Sequence, residues 1–88
     1  MNWIVKISKD ATRQLKRFPF EQQGRIRQRL REMKDDPFRG NVMSLKDKRW
    51  KGRYRKRVGR YRIIFLLRRA ERLVEISAIL ARNERTYR

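Results

Sequence analysis

Lys51-Gly52-Arg53-Tyr54-Arg55-Lys56-Arg57-Val58-Gly59-Arg60-Tyr61-Arg62-Ile63-Ile64-Phe65 is the stretch whose reading decides the fold. A strand alternates its side chains, so Lys51, Arg53, Arg55 and Arg57 are expected on one face and Gly52, Tyr54, Lys56 and Val58 on the other. Gly59-Arg60 has glycine first, as a two-residue II′ hairpin turn prefers. That turn sets Val58 opposite Tyr61 and Arg57 opposite Arg62. Arg62 then joins the cationic row, while Tyr61, Ile63 and Phe65 follow Tyr54 and Val58 to the apolar side. A slip of one residue would bury the arginines, which fixes the register. The stretch reads as a hairpin with one core face and one anion-binding face.

The 88-residue chain is expected to form a single domain, 1–88, with room for one modest core. Lys and Arg number 27 against 9 Asp and Glu, a formal net charge of +18, which points to a polyanionic partner, nucleic acid first and an acidic protein second. There is no cysteine and no histidine. Disulfides, zinc-thiolate sites and the usual acid-base side chain are therefore excluded, and neither a metal nor a cofactor is expected. The N-terminus lacks a signal-like apolar run and no stretch approaches a membrane span, so the expected setting is cytoplasmic, away from membranes. The charge is interleaved with Ile, Leu, Phe, Tyr and Trp, which argues for a folded domain over a disordered basic tail.

Outward from the hairpin, Trp3, Val5 and Ile7 alternate as the more buried side of a first strand. Ser8 or Asp10 can cap a helix whose stripe is Ala11, Leu15 and Phe18, ended by Pro19. A second helix is predicted from about Phe20 to Lys34, with Ile26, Leu30 and Met33 buried and Arg25, Arg27, Arg29 and Arg31 outward, stopping at Asp35-Asp36-Pro37. Val42-Met43-Ser44-Leu45 is a candidate for a brief extended segment. The last strand runs from Leu73 to about Leu80, and a turn at Ala70-Glu71 would pair Phe65 with Ile76 and Ile63 with Ala78. Val74, Ile76, Ala78 and Leu80 would then face the helices, with Leu73, Glu75, Ser77 and Ile79 on the other side. The expected fold is α+β: an N-terminal strand and a two-helix hairpin packed on a curved, mainly antiparallel sheet of about four strands.

Over essentially its whole length the chain resembles the RelE/ParE superfamily of toxins from toxin-antitoxin pairs, the microbial RNase fold of RelE. The hairpin block carries the resemblance, supported by the helix pair ending at Asp36-Pro37 and by Ala81-Arg82-Asn83-Glu84-Arg85-Thr86-Tyr87-Arg88. For the RelE branch the resemblance implies a ribosome-dependent endoribonuclease, an mRNA interferase that cuts the messenger in the A site of the 70S ribosome. It assigns Arg53 and Arg55 to the alternate basic positions of the active surface, Arg62 to the arginine after the turn, Arg82 to the strand-end arginine and Tyr87 to the C-terminal tyrosine. It also implies an acidic cognate antitoxin, and contact with operator DNA only through the antitoxin complex. Lys51 and Arg57 are further RNA-binding candidates, as are Arg25 and Arg29 on the second helix.

Cleavage without a metal is feasible when the adjacent 2′-OH of the RNA attacks the phosphate, giving a 2′,3′-cyclic phosphate and a 5′-hydroxyl. The protein then has to align that attack and offset developing negative charge, which forked guanidinium groups do well. Where the better-known relatives carry lysines, Arg53 and Arg55 stand here, and an arginine is a poor proton acceptor. Lys56, Lys51, Tyr87 and a ribosomal RNA group stay open as the base, although alternation turns Lys56 toward the core. Strict alternation also sets Arg82 on the face opposite Arg62. Two rival functions share these features: a ParE-like inhibitor of DNA gyrase, and a non-enzymatic basic module that binds RNA or the ribosome.

Overall fold

The computed structural model describes residues 2–81. In chain order the elements are β1 (Ile4–Ile7), α1 (Lys9–Lys16), α2 (Phe20–Glu32), β2 (Asn41–Ser44), a 3-10 turn (Lys48–Trp50), β3 (Tyr54–Val58), β4 (Tyr61–Arg68) and β5 (Leu73–Ala81). They form one five-stranded sheet in the order β1-β5-β4-β3-β2, in which β1 runs parallel to β5 and the other neighbours are antiparallel. The sheet thus has one strand more than the expected four, because Asn41–Ser44 pairs with β3 along its whole length.

Local chemistry explains where the helices begin and end. Ser8 is extended and its Oγ accepts from the Ala11 N–H at 3.0 Å, satisfying one of the free donors at the start of α1. The helix stops before Phe18, the residue that Pro19 drives out of helical geometry. Phe18 lies beyond the last residue of α1 but still packs against the cluster that holds Ala11 and Leu15, its ring 4.5 Å from that of Tyr61 between centroids. The Gln23 side-chain amide donates to Phe18 O at 2.8 Å and to Lys16 O at 3.3 Å. One glutamine on α2 thereby closes the C-terminal end of α1. α2 itself ends at Glu32, with Met33 at its C-cap, two residues before the predicted stop.

Both helices pack on one face of the sheet. Ala11, Leu15, Ile26, Leu30 and Met33 meet Val58, Ile63, Phe65, Val74, Ile76 and Ile79 in a single apolar cluster. Phe65 is fully buried, stacks with Tyr54 at 5.5 Å, and by area contributes about 1.5–3 kcal/mol on leaving water. Trp3 and Val5 pack against this cluster, whereas Ile7 is 38% exposed at the sheet edge.

The hairpin register is the predicted one: Val58 faces Tyr61, Arg57 faces Arg62, and Tyr54 faces Phe65. Gly59 has φ of 57°, and Arg72 is the only non-glycine residue with positive φ among the described residues, so the turn has the II′ form. β5 differs. Phe65 faces Ile76 as expected, but Ile64 faces Ala78 and Ile63 faces Ile79, which leaves Ser77 as an extra residue in β5. This β-bulge reverses parity beyond it. Ile79, expected on the open side, is fully buried under the helices, and Ala78 and Leu80 move to the face of Ile64 and Arg62.

A cationic face built on the hairpin

Tyr54, Val58, Tyr61, Ile63 and Phe65 belong to the helix-side cluster or pack against it, so the alternate residues Arg55, Arg57 and Arg62 lie on the helix-free face. Arg57 and Arg62 are direct cross-strand partners, and their next ladder neighbours are Asn41 on β2 and Leu80 on β5. Like charges placed directly opposite destabilise a sheet, and neither flanking neighbour is acidic. The Nε of Arg57 is buried and has no hydrogen-bond partner among the described residues. Arg55 is only 7% exposed, between Met43 and Ile64, and its Nη1 lies 3.4 Å from Asn41 Oδ1.

Arg53 precedes β3 and reaches across β4. Its Nε donates to Ser77 Oγ at 3.0 Å, and its Cζ lies 5.9 Å from the centroid of Trp50. Ser77 lies on the open side, where alternation along β5 sets it, so its hydroxyl is within reach of that guanidinium. Toward the end of β4 away from the Arg57–Arg62 pair, Arg68 is paired with Glu75, and the hydrogen bond to that carboxylate raises the arginine further above its ordinary pKa. That carboxylate is taken up by Arg68, and Arg53, Arg55, Arg57 and Arg62 make up the rest of the arginines gathered on this face among the described residues.

Other candidates fall elsewhere. Lys51 is exposed but lies ahead of β3, and Gly52 with φ of 83° breaks the alternation that would have put it in the row. Arg25 and Arg29 are exposed on α2, across the sheet from Arg57 and Arg62, and Arg29 is bonded to Glu32 at 2.9 Å. Lys56 points to the helix side as predicted and is 3% exposed. Burial lowers its pKa from the ordinary 10.5; Glu32 and Asp36 oppose that shift, and Arg29 and Arg39 add to it. Being on the wrong face, Lys56 is no base for chemistry at the arginine row. Leu80 now pairs with Arg62, so the parity argument that set Arg82 against Arg62 rested on the wrong register. Arg82 and Tyr87 themselves lie outside the described residues.

Among the described residues no group of three or more His, Cys, Asp or Glu could hold a metal ion, and no helix is long and apolar enough to cross a membrane. Sequence reasoning missed Ser77, Asn41 and Trp50 as neighbours of the row. For Ser77 a signal exists: in Leu73-Val74-Glu75-Ile76-Ser77-Ala78-Ile79 the bulky apolar residues occur at both parities, which a strand without a bulge cannot bury on one face.

A mixed sheet backed by two helices is a fold shared with solved toxin structures. The fold matches the RelBE2 toxin-antitoxin complex of Mycobacterium tuberculosis with a TM-score of 0.84 at 19% identity, covering 93% of this chain and 100% of the other. It matches the RelE-RelB complex of Pyrococcus horikoshii with a TM-score of 0.79 at 23% identity, covering 96% and 99%. A mutant of Escherichia coli RelE in the free state matches with a TM-score of 0.72 at 13% identity, covering 99% and 90%. A search of curated protein sequences found no match. The model of the ParE toxin of type II toxin-antitoxin systems matches residues 5–86. The chain belongs to that family, and is a toxin of the RelE/ParE superfamily.

Proposed function

We propose that this type II toxin is a ribosome-dependent endoribonuclease whose substrate lies on the helix-free face of the sheet. The observation that carries the reading is the Arg57–Arg62 cross-strand pair, flanked by Arg53 and Arg55 and by no acidic ladder neighbour. A phosphodiester laid across these strands offsets that repulsion with charge-assisted, forked hydrogen bonds. Arg62 holds the scissile phosphate, Arg53 and Arg55 fix it and its neighbours, and the RNA's own 2′-OH is the nucleophile. As the phosphorane forms, the guanidinium groups stabilise its new negative charge without having to reorganise. The leaving 5′-oxygen takes a proton and a 2′,3′-cyclic phosphate remains. An arginine row stabilises charge but accepts no proton, so the base comes from Lys51, Tyr87 or the ribosome. An acidic antitoxin is the complementary protein partner, covering the cationic face and carrying the toxin to operator DNA.

A second reading, inhibition of DNA gyrase, is favoured by the match to the ParE model. Primer extension on ribosome-bound messenger, beside a gyrase supercoiling assay with the same protein, separates the two. In the nuclease reading Arg62→Ala lowers turnover about 10²–10³-fold while ribosome affinity is largely kept. Uncut messenger with blocked supercoiling would reject it in favour of the gyrase reading. A loss of ribosome affinity alone, without cleavage by the wild type, would leave a basic binding module.

A further inference from the structure

Trp50 stands apart from the core. Trp3 is among the half-buried side chains packed against the helix-side cluster, and Trp50 is not. Asp47 Oδ1 accepts from the Arg49 N–H at 2.7 Å and caps the 3-10 turn that ends at Trp50. The Trp50 carbonyl in turn accepts from the Arg53 N–H at 3.0 Å, so the indole and Arg53 ride on one short piece of backbone. Arg53 is tied by Ser77 to the open side of the sheet, which sets the Trp50 ring at that end of the arginine row. A second guanidinium, that of exposed Arg49, has its Cζ 5.2 Å from the same ring centroid.

Two cations on one half-buried indole repel each other, and an exposed cation–π contact is weaker than a base stacked on an aromatic ring. A nucleobase can therefore displace Arg49 from the ring. The displaced guanidinium is then free to bind a phosphate of the same strand, opposite the one held by Arg53. We propose that Trp50 is a stacking platform for one unpaired RNA base, with Arg49 and Arg53 taking the flanking phosphates. The site rests on the RNA reading of the arginine row, and adds to it a contact that senses a base where the row senses backbone charge.

The chain has two tryptophans, so Trp3→Phe leaves Trp50 as the sole indole emitter. This protein is titrated with a 2′-O-methylated oligouridylate, which cannot be cleaved by 2′-OH attack, and with an abasic oligomer of equal length and charge. The base-bearing strand quenches Trp50 emission and binds about 5- to 150-fold more tightly than the abasic one. Trp50→Ala removes the difference in affinity and Trp50→Phe keeps part of it. The abasic comparison uses unmutated Trp50, so it stands even where Trp50→Ala fails to fold. Equal affinity and equal emission with both oligomers overturn the proposal. If that happens while Arg62→Ala still abolishes cleavage, the base platform falls alone. If bases are preferred but messenger is never cut, the nuclease reading falls and the platform stands.

Discussion

The two faces of the β3–β4 hairpin are made from alternate residues of the same strands, yet they handle charge in opposite ways. On the helix side the row Tyr54, Val58, Tyr61, Ile63 and Phe65 is interrupted by one cation, Lys56, with Glu32 and Asp36 near enough to oppose the effect of its burial. On the open side four arginines gather, and the nearest carboxylate of β5, Glu75, is occupied by Arg68. A face that has to be buried balances its charge within the chain. In the proposed reading the open face is balanced from outside by RNA, and the like charges set opposite one another there cost stability.

The largest contrast lies in unfolding free energy. Phe65→Ala opens a cavity between Tyr54 and the helices and is expected to cost about 3–5 kcal/mol in urea titrations. An equal loss on removing an open-face arginine would break the comparison. Ser8→Ala is expected to cost about 1 kcal/mol, because it deletes the α1 cap. The same hydroxyl also donates to the Ser77 carbonyl at 3.1 Å, so the change reaches the bulge as well. Arg57→Ala should leave stability within about 0.5 kcal/mol of wild type, tending upward as the repulsion with Arg62 is relieved. Its effect appears instead in RNA binding, as weaker affinity and a salt slope reduced by about one.

Lys56 sharpens the contrast through sign more than size. Its folded pKa is held below 10.5 by burial, so between the two values the unfolded chain keeps a proton that the folded chain has lost. Stability from this group therefore rises with pH across that window, and below it the cost of burying the ammonium is undiminished. Lys56→Met should flatten the alkaline rise in urea midpoints relative to wild type. An unchanged pH profile would show that Glu32 and Asp36 already compensate the buried charge.

The hairpin was legible because two local signals agree: a glycine-first turn and a strict alternation that tolerates no slip. Tyr54, Val58, Tyr61, Ile63 and Phe65 had to share a face, and Arg55, Arg57 and Arg62 followed to the other. The last strand was harder, since Leu73, Val74, Ile76, Ile79 and Leu80 supply apolar residues at both parities, and the position of one extra residue depends on partners in β4. Lys51 was misplaced because Gly52, with its positive φ, ends the periodicity that the strand pattern assumed. Trp50 lies ahead of the strand, where alternation says nothing of its side, and only the bond from Arg53 to Ser77 shows on which side of the sheet its ring stands. The burial of Arg55 to 7% exposure was not readable from alternation, which assigns a face but not a depth.

The parallel pairing of β1 with β5 has a consequence for the order of events during synthesis. Among the described residues, Ile4–Ile7 finds its one sheet neighbour in residues that emerge some seventy positions later, from Leu73 onward. The Ser8 and Arg53 contacts to Ser77 wait for the same segment. A chain that stops short of β5 therefore lacks both the strand on which Ile4–Ile7 pairs and the Ser77 hydroxyl that anchors Arg53, so the first strand and the arginine surface wait on the same late segment.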